Sequence, residues 1–208
     1  MSQLRRRSLC TADSGGIKLP AGYTKLNSVY KGGGWSWVDF APSYPILVKM
    51  SIAPNLSVIS GSNPVTILGR NGSLGVETKN TGVLNFGGLS EASVFQDNVR
   101  IELELVMSTN KAQTRIAIDG GIPVYVSSTP NYSDKLLFGA GWTNGTYVSQ
   151  FVLYDFEMYS YDTSTGGAGE LTHKLVPCIR ESTLTYGVYD VITNTFTGSS
   201  GWKASRPS

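Results

Sequence analysis

Charged residues are scarce in this 208-residue chain. They make up 15% of it, against roughly 25% in a typical soluble protein. The 17 Lys and Arg residues nearly balance the 15 Asp and Glu residues, which leaves a formal net charge of +2. So small a charge gives no electrostatic reason to expect nucleic acid or an anionic membrane as the main partner. We therefore expect neither.

Cysteine and histidine are almost absent. The two cysteines, Cys10 and Cys178, lie at opposite ends of the chain, and His173 is the single histidine. Without CxxC spacing the sequence predicts neither a zinc site nor a disulfide framework. We expect free thiols, with a Cys10–Cys178 bridge as the alternative. No glycine-rich phosphate or dinucleotide motif follows a strand, so no cofactor is expected.

Long apolar runs and helical periodicity are also missing. No stretch approaches the ~18 apolar residues of a membrane helix, and the first residues do not form the hydrophobic segment of a signal peptide. The 24 glycines, together with many Ser and Thr residues and short apolar runs, favour strands and turns. Folding should bury roughly 70% of the unfolded surface at this length, which is enough for one hydrophobic core without stabilising disulfide bonds or metal ions. We therefore predict an all-β domain.

The strands are predicted by alternation of apolar and polar residues, which gives one buried face and one polar face. The clearest case is residues 99–107, where apolar side chains alternate with charged ones: Ile101, Leu103 and Leu105 against Arg100, Glu102 and Glu104. Further strands are predicted within residues 34–40, 46–52, 65–69, 75–78, 82–87, 111–126, 136–141, 151–159, 174–180 and 186–196. Residues 162–169 are expected to form a flexible loop that extends a hairpin.

The sequence divides into two segments. Residues 1–16 form a basic and then Gly/Ser-rich arm with little to bury, and residues 17–208 form the folded domain. Arg5, Arg6 and Arg7 have no local acidic run to pair with, and guanidinium groups form strong hydrogen bonds with carboxylates. We therefore predict that these three arginines attach the domain to a partner.

Several spaced motifs carry a resemblance. Near the end of the chain they comprise Leu175, Val176, Pro177, Arg180, Gly187, Tyr189, Asp190, Thr193, Asn194, Phe196 and Gly201. Near the start, residues 19–26 read LPAGYTKL, and residues 34–40 have the aromatic and Asp spacing of a further motif but lack its following Gly. Across residues 17–202 the chain resembles the concanavalin A-like (laminin-G-type) jelly-roll domains of bacteriophage virion proteins and gut-bacterial surface proteins.

The resemblance implies both a fold and a setting. The fold would be a concanavalin A-like jelly-roll β-sandwich of two antiparallel sheets with an extended N-terminal arm. The setting would be the virion, with the chain as a non-enzymatic head or tail fibre or decoration. The arm would bind a capsid or tail protein, the domain would form a homo-oligomer, and it could adhere to a host-surface glycan. The alternatives are a lectin-like carbohydrate-binding module and, less favoured, a glycoside hydrolase.

Catalytic and metal sites have weaker support. Hydrolases of this fold place carboxylates on one strand, and Glu102 and Glu104 share a strand face, but Val106 and Met107 stand where a third acid would be. We expect a solvated face paired with Arg100 or Lys111, and His173 is expected on the surface without a nucleophile. Calcium could be held by Asp119, Asp134 and Asp155, as loop carboxylates do in jelly-roll lectins. No Asp-rich loop supports this, and Asp119 is better explained by turn chemistry.

Aromatic residues suggest where a sugar would bind. Trp142 offers an apolar face, Asn144 an amide that donates and accepts, and Tyr147 a ring with a hydroxyl. These three are the candidate glycan-binding residues, with packing of Trp142 beneath its loop as the competing interpretation. Trp35 and Trp37 share a predicted strand face and are expected in the core or in a subunit interface.

Overall fold

The computed structural model describes residues 16–33, 37–59, 64–70, 73–128, 135–139 and 149–204. Apart from short 3₁₀ segments such as Leu56–Val58, the regular structure in these ranges consists of strands. The chain is all-β, as the sequence predicts. Within these ranges there is no helix long and apolar enough to cross a membrane.

The larger sheet has a main path of eight antiparallel strands. In spatial order they are β11 (Val124–Tyr125), β10 (Arg115–Ile118), β9 (Ile101–Met107), β4 (Ile46–Pro54), β13 (Phe151–Asp162), β14 (Gly167–Arg180), β15 (Thr185–Asp190) and β16 (Thr195–Gly198). Three short strands extend it: β1 (Tyr23–Lys25) pairs with β14, and β2 (Val29–Lys31) pairs with β13 and β17 (Trp202–Lys203).

The smaller sheet has six antiparallel strands. Their order is β3 (Val38–Phe40), β12 (Leu136–Phe138), β5 (Val65–Arg70), β6 (Ser73–Thr78), β7 (Leu84–Phe86) and β8 (Leu89–Glu91). Aromatic rings join this sheet to the larger one. Phe40 stacks on Phe156 with 5.3 Å between ring centroids, and Phe138 lies 4.8 Å from Phe156 and 5.1 Å from Phe151. The two sheets share one hydrophobic core, as in a β-sandwich.

The period-two patterns are confirmed where they are regular. In β9 the apolar residues Ile101, Leu103 and Leu105 are buried, while the glutamates between them are only partly so. In β13 the apolar positions change from odd numbers to even numbers, because a bulge at Tyr154 shifts the register against β4. One extra residue in a strand shifts the alternation by one position, so that the even-numbered instead of the odd-numbered side chains face the core after the bulge.

One predicted boundary is wrong. Residues 162–169 do not form a flexible loop, since β13 continues to Asp162 and β14 begins at Gly167, leaving a four-residue turn. Asp162 holds this turn by accepting hydrogen bonds from the backbone N–H and hydroxyl of Ser164 at 2.8 and 2.6 Å. The strand predicted within residues 34–40 is found at Val38–Phe40, and the half-buried Trp37 precedes it.

Candidate functional site

A row of alternating charges crosses the face of the larger sheet that points away from the core. The register aligns Glu104 of β9, Lys49 of β4, Glu157 of β13 and Lys174 of β14 side by side. Lys49 Nζ lies 3.5 Å from Glu104 Oε2, and Lys174 Nζ lies 2.5 Å from Glu157 Oε1. We call these four residues the charge row.

Glu157 is the most constrained carboxylate of the charge row. Only 4% of the residue is exposed, and its second oxygen accepts the hydroxyl of Tyr159 at 2.6 Å. Burial alone would raise the pKa of Glu157, but the hydrogen bonds from Lys174 and Tyr159 and the nearby ammonium charges outweigh it and hold the pKa below its ordinary value. Both carboxylate oxygens are therefore engaged within the protein.

Asp155 lies two residues before Glu157 on the same strand face. Burial raises its pKa, and the ammonium of Lys174 opposes this only in part. Neighbouring carboxyls with pKa values shifted in opposite directions are what an acid–base pair requires. Here, however, Glu157 is held by Lys174 and Tyr159, and Asp155 accepts the backbone N–H of Phe156 at 3.0 Å. The geometry therefore favours a structural role.

The two glutamates weighed as catalytic residues lie in β9 and are ion-paired. Arg100 lies 3.6 Å from Glu102, which confirms that expected pairing. The partner of Glu104 is Lys49, across the sheet, rather than the predicted Lys111. Each of the two carboxylates is therefore engaged by a cationic side chain of the sheet.

A second cluster covers the same sheet face at β14, β15 and β16. Arg180 lies over the ring of Phe196, with its guanidinium carbon 4.3 Å from the ring centroid. Its Nε and Nη2 donate to the Tyr23 hydroxyl at 3.2 and 3.1 Å. The ring of Tyr23 lies 4.9 Å from that of Tyr189 and 5.3 Å from that of Phe196. We call Tyr23, Arg180, Tyr189 and Phe196 the aromatic clasp.

Several residues of the motifs that resemble jelly-roll domains have structural roles in this fold. A Cβ on Gly187 would lie 2.2 Å from the carbonyl oxygen of Thr197, so only glycine fits where β15 and β16 approach. Asn194, at φ 55°, forms the left-handed position of the turn between those strands, which Asn tolerates. Pro177 accepts the backbone N–H of Leu26 at 2.8 Å. These motif positions shape strands and turns, which accounts for their spacing without any ligand.

His173 is not the surface residue that we expected. Only 22% of its side chain is exposed, and its Nδ1 lies 2.6 Å from Asp190 Oδ2. Its ring packs edge-on against Phe40 with centroids 4.8 Å apart. Burial would raise the pKa of Asp190, but hydrogen bonds from His173 and from the backbone N–H groups of Lys174 and Ile192 outweigh it and lower the pKa. The pair fastens β14 to β15.

Lys31 is a fully buried cation at the end of β2. Its Nζ donates to the carbonyl of Gly32 at 2.7 Å and lies 5.9 Å from the ring centroid of Trp202. Burial lowers the pKa of Lys31 to about 8. The indole Nε1 of Trp202 and the hydroxyl of Ser149 are also buried, and neither has a hydrogen-bond partner in the described part. This end of the larger sheet therefore carries a desolvation cost.

The expectations for Asp119, for a metal site and for the cysteines can be compared with the structure. Asp119 acts in a turn, as predicted: its Oδ1 accepts the backbone N–H of Glu102 at 2.9 Å, and its φ is 48°. Among the described residues no group of three or more His, Cys, Asp or Glu side chains could hold a metal ion. Cys178 is buried and unbridged there, and burial raises the pKa of its thiol to about 12, so the thiol is unreactive.

Several predicted residues lie outside the described ranges. They are Arg5, Arg6 and Arg7 of the arm, Cys10, Trp35, Asp134, and the candidate glycan-binding residues Trp142, Asn144 and Tyr147. The structure does not test the predictions made for these residues.

Sequence reasoning missed the charge row and the His173–Asp190 pair. Each joins residues that are far apart in the chain and meet only through strand register. One signal was present, since Lys49 and Glu157 each interrupt an apolar run in a predicted strand. A charged residue between two core residues of a strand points to the opposite face of the sheet. If that face is buried, the charge needs a partner of opposite charge or a hydrogen bond.

Comparison with known proteins adds no family. No protein-family model matches the chain, and no curated protein is significantly similar to it.

Proposed function

We propose that this chain is a non-enzymatic structural protein of a bacteriophage virion, a head or tail fibre or decoration. Residues 1–16 attach it to a capsid or tail protein, and the two-sheet domain projects from the particle. The domain assembles as a homo-oligomer and can contact the host surface. Residues 17–208 have the concanavalin A-like jelly-roll arrangement in this proposal.

One observation carries the proposal. The motif residues that resemble phage virion domains are grouped in the aromatic clasp and its adjoining turns. Arg180 comes from one motif near the end of the chain, Tyr189 and Phe196 come from the next motif, and all three contact Tyr23 of the first motif. Motifs that cooperate in one structural cluster are better explained by a shared fold than by chance matches.

The strand order supports the jelly-roll assignment. The chain alternates between sheets, with β3 in the smaller sheet, β4 in the larger, β5 to β8 in the smaller, β9 to β11 in the larger, β12 in the smaller and β13 in the larger. As a result β4 lies between β9 and β13, which are distant from it in sequence. Such crossings between two antiparallel sheets are typical of jelly rolls.

The proposal that the chain is not an enzyme is based on the contacts of its acidic side chains. Glu102, Glu104 and Glu157 are each ion-paired, and Asp190 is bonded to His173. A hydrolytic site needs carboxyls that can reach a substrate, and these are engaged with protein groups. The proposal therefore assigns them to fold stability.

Mass spectrometry of virus particles purified from the producing host tests the virion assignment. We expect the chain at a fixed copy number per particle after density-gradient separation. Recovery only from the soluble host fraction would contradict the assignment.

A further inference from the structure

One cavity lies between three chain segments, residues 56–59, 80–81 and 95–97. It has a volume of about 580 Å³, within the range of small-molecule sites. Its apolar floor consists of Leu56, Ile59 and Phe95, each at most 9% exposed. Its rim is formed by exposed polar side chains, including Asn80, Thr81 and Gln96.

Backbone hydrogen bonds fix the wall that carries Asn80 and Thr81. The N–H of Gly82 donates to the carbonyl of Lys79 at 2.9 Å and closes the turn. The N–H of Phe95 then donates to the carbonyl of Gly82 at 2.9 Å. Gly82 has φ +74°, and a Cβ there would lie 2.1 Å from the carbonyl oxygen of Phe95. Glycine thus lets this wall and the Phe95 segment touch.

Asp97 fixes the opposite wall. Its Oδ1 accepts the backbone N–H groups of Leu56 and Ser57 at 2.7 and 3.2 Å. The N–H of Asn98 donates to the carbonyl of Pro54 at 2.8 Å. The cavity is therefore held open by contacts that exist without a ligand, which lowers the entropy cost of binding.

The rim can hydrogen-bond a ligand. Within the described part, the side chains of Asn80, Thr81 and Gln96 form no hydrogen bond with another residue. Two amides and a hydroxyl supply both donors and acceptors within one opening. A ligand with many hydroxyl groups can use both kinds.

The charge of the lining restricts the ligand class. Of the eight described residues that line the cavity, none is cationic, and Asp97 is anionic. An anionic ligand would therefore be repelled, and one carboxylate is too few for a metal site. A fully apolar ligand would leave the rim amides unpaired. A neutral ring with an apolar face and polar edges matches both floor and rim.

From this geometry we infer that the cavity between Leu56, Asn80 and Gln96 binds a neutral saccharide. The sugar's C–H face packs on the floor, and its hydroxyl groups exchange hydrogen bonds with the rim. This deepens the host-contact part of the proposed function and moves the glycan site away from Trp142. A single cavity of this kind binds weakly, and many copies on one particle would raise the avidity.

Saturation-transfer NMR on the full chain tests the inference. The probes are methyl glycosides of glucose, galactose, mannose, N-acetylglucosamine and N-acetylgalactosamine, with glucuronic acid and N-acetylneuraminic acid as acidic probes. We expect at least one neutral glycoside to bind and the acidic probes to bind less. Asn80→Ala and Gln96→Ala should each weaken binding by about three- to tenfold, as loss of one neutral hydrogen bond does, and Thr81→Trp should abolish it by filling the opening.

Asn27→Ala is the matched control, because it removes an exposed amide outside the cavity, and Trp142→Ala tests the competing loop. Both should bind as the unchanged chain does. The inference is overturned if no neutral glycoside binds, if acidic sugars bind better, or if only Trp142→Ala reduces binding. Incorporation into particles is scored separately. Normal incorporation of Thr81→Trp without sugar binding supports both proposals. If the unchanged chain binds sugar but is absent from particles, only the virion assignment is rejected.

Discussion

The guanidinium carbon of Arg180 lies 4.3 Å from the ring centroid of Phe196, across the outer face of β14 and β16. The same guanidinium donates twice to the hydroxyl of Tyr23. One side chain therefore joins the first strand of the domain to strands near its end. The resemblance noted in the sequence includes both Arg180 and Phe196, and this contact is a physical reason for their spacing.

Arg180→Lys should lower the free energy of unfolding by about 1 kcal/mol and Arg180→Ala by about 2 kcal/mol. Lysine keeps the charge but loses the planar group that stacks on Phe196 while donating to Tyr23. Urea unfolding followed by tryptophan fluorescence measures both. Arg115→Lys is the comparator, since Arg115 also donates two hydrogen bonds, to the Tyr161 hydroxyl and the Gly166 carbonyl, but its guanidinium carbon lies 5.6 Å from the nearest ring centroid, that of Tyr161. Equal effects at the two positions would argue against the clasp.

Glu157→Gln should destabilise the fold by about 3 kcal/mol, because it removes the carboxylate that is hydrogen-bonded to the buried ammonium of Lys174. The double change Glu157→Leu with Lys174→Met should be close to neutral or stabilising, since it removes both buried charges. Thermal unfolding of the three chains measures this. If the double variant is as unstable as Glu157→Gln, the ion pair is not the cause.

The pH dependence of the same pair has a definite sign. The pKa of Glu157 is lowered in the folded state, so its stabilisation is present above the unfolded pKa, ~4.3, and is lost as the pH falls through the folded pKa. The stability difference between the unchanged chain and Glu157→Gln should therefore shrink on acidification below that value. A difference that stays constant down to pH 2 would show that Glu157 does not titrate as inferred.

The sequence predicted more of the fold than of its polar contacts. Alternation identified β9 and β13, and the apolar residues at every second position identified β4, although all of β4 except Lys49 is buried. It did not identify the bulge at Tyr154 directly, although the change of apolar parity between Leu153 and Phe156 was visible. The partners of Lys49 and His173 lie on neighbouring strands, so they follow from register, which alternation within a single strand does not specify.

Lys31→Met should stabilise the domain near neutral pH. Burial lowers the pKa of Lys31 to about 8, and such a shift corresponds to about 3 kcal/mol of unfavourable charge burial. Because the folded state binds the proton less tightly, this penalty is fully present below pH 8 and is relieved as the pH rises from about 8 towards the unfolded pKa.

Denaturation at several pH values therefore separates charge from packing at Lys31. The stability gain of Lys31→Met over the unchanged chain should be largest at pH 7 and smaller at pH 9. The comparison must be made between the two chains, because Cys178, with its pKa raised to about 12, reduces the stability of both above the ordinary thiol pKa. A gain that is independent of pH would mean that the variant only improves packing.

The chain should show no glycosidase activity. Glu102 and Glu104 form ion pairs with Arg100 and Lys49, and Val106 and Met107 stand where the third acid of such hydrolases would be. Incubation with a broad panel of polysaccharides, followed by a reducing-end assay, should give the buffer value. Turnover that disappears in Glu102→Gln or Glu104→Gln would show that the discarded hydrolase hypothesis was right.

The most direct measurement for the virion proposal is incorporation of a chain that lacks residues 1–16. The domain from residue 17 onward should melt at the same temperature as the full chain, because the basic and Gly/Ser-rich sequence of residues 1–16 has little apolar surface to bury. It should be missing from purified particles, and a full-length chain with Arg5, Arg6 and Arg7 changed to Gln should be depleted from them. A truncated chain that assembles at normal occupancy would contradict the account.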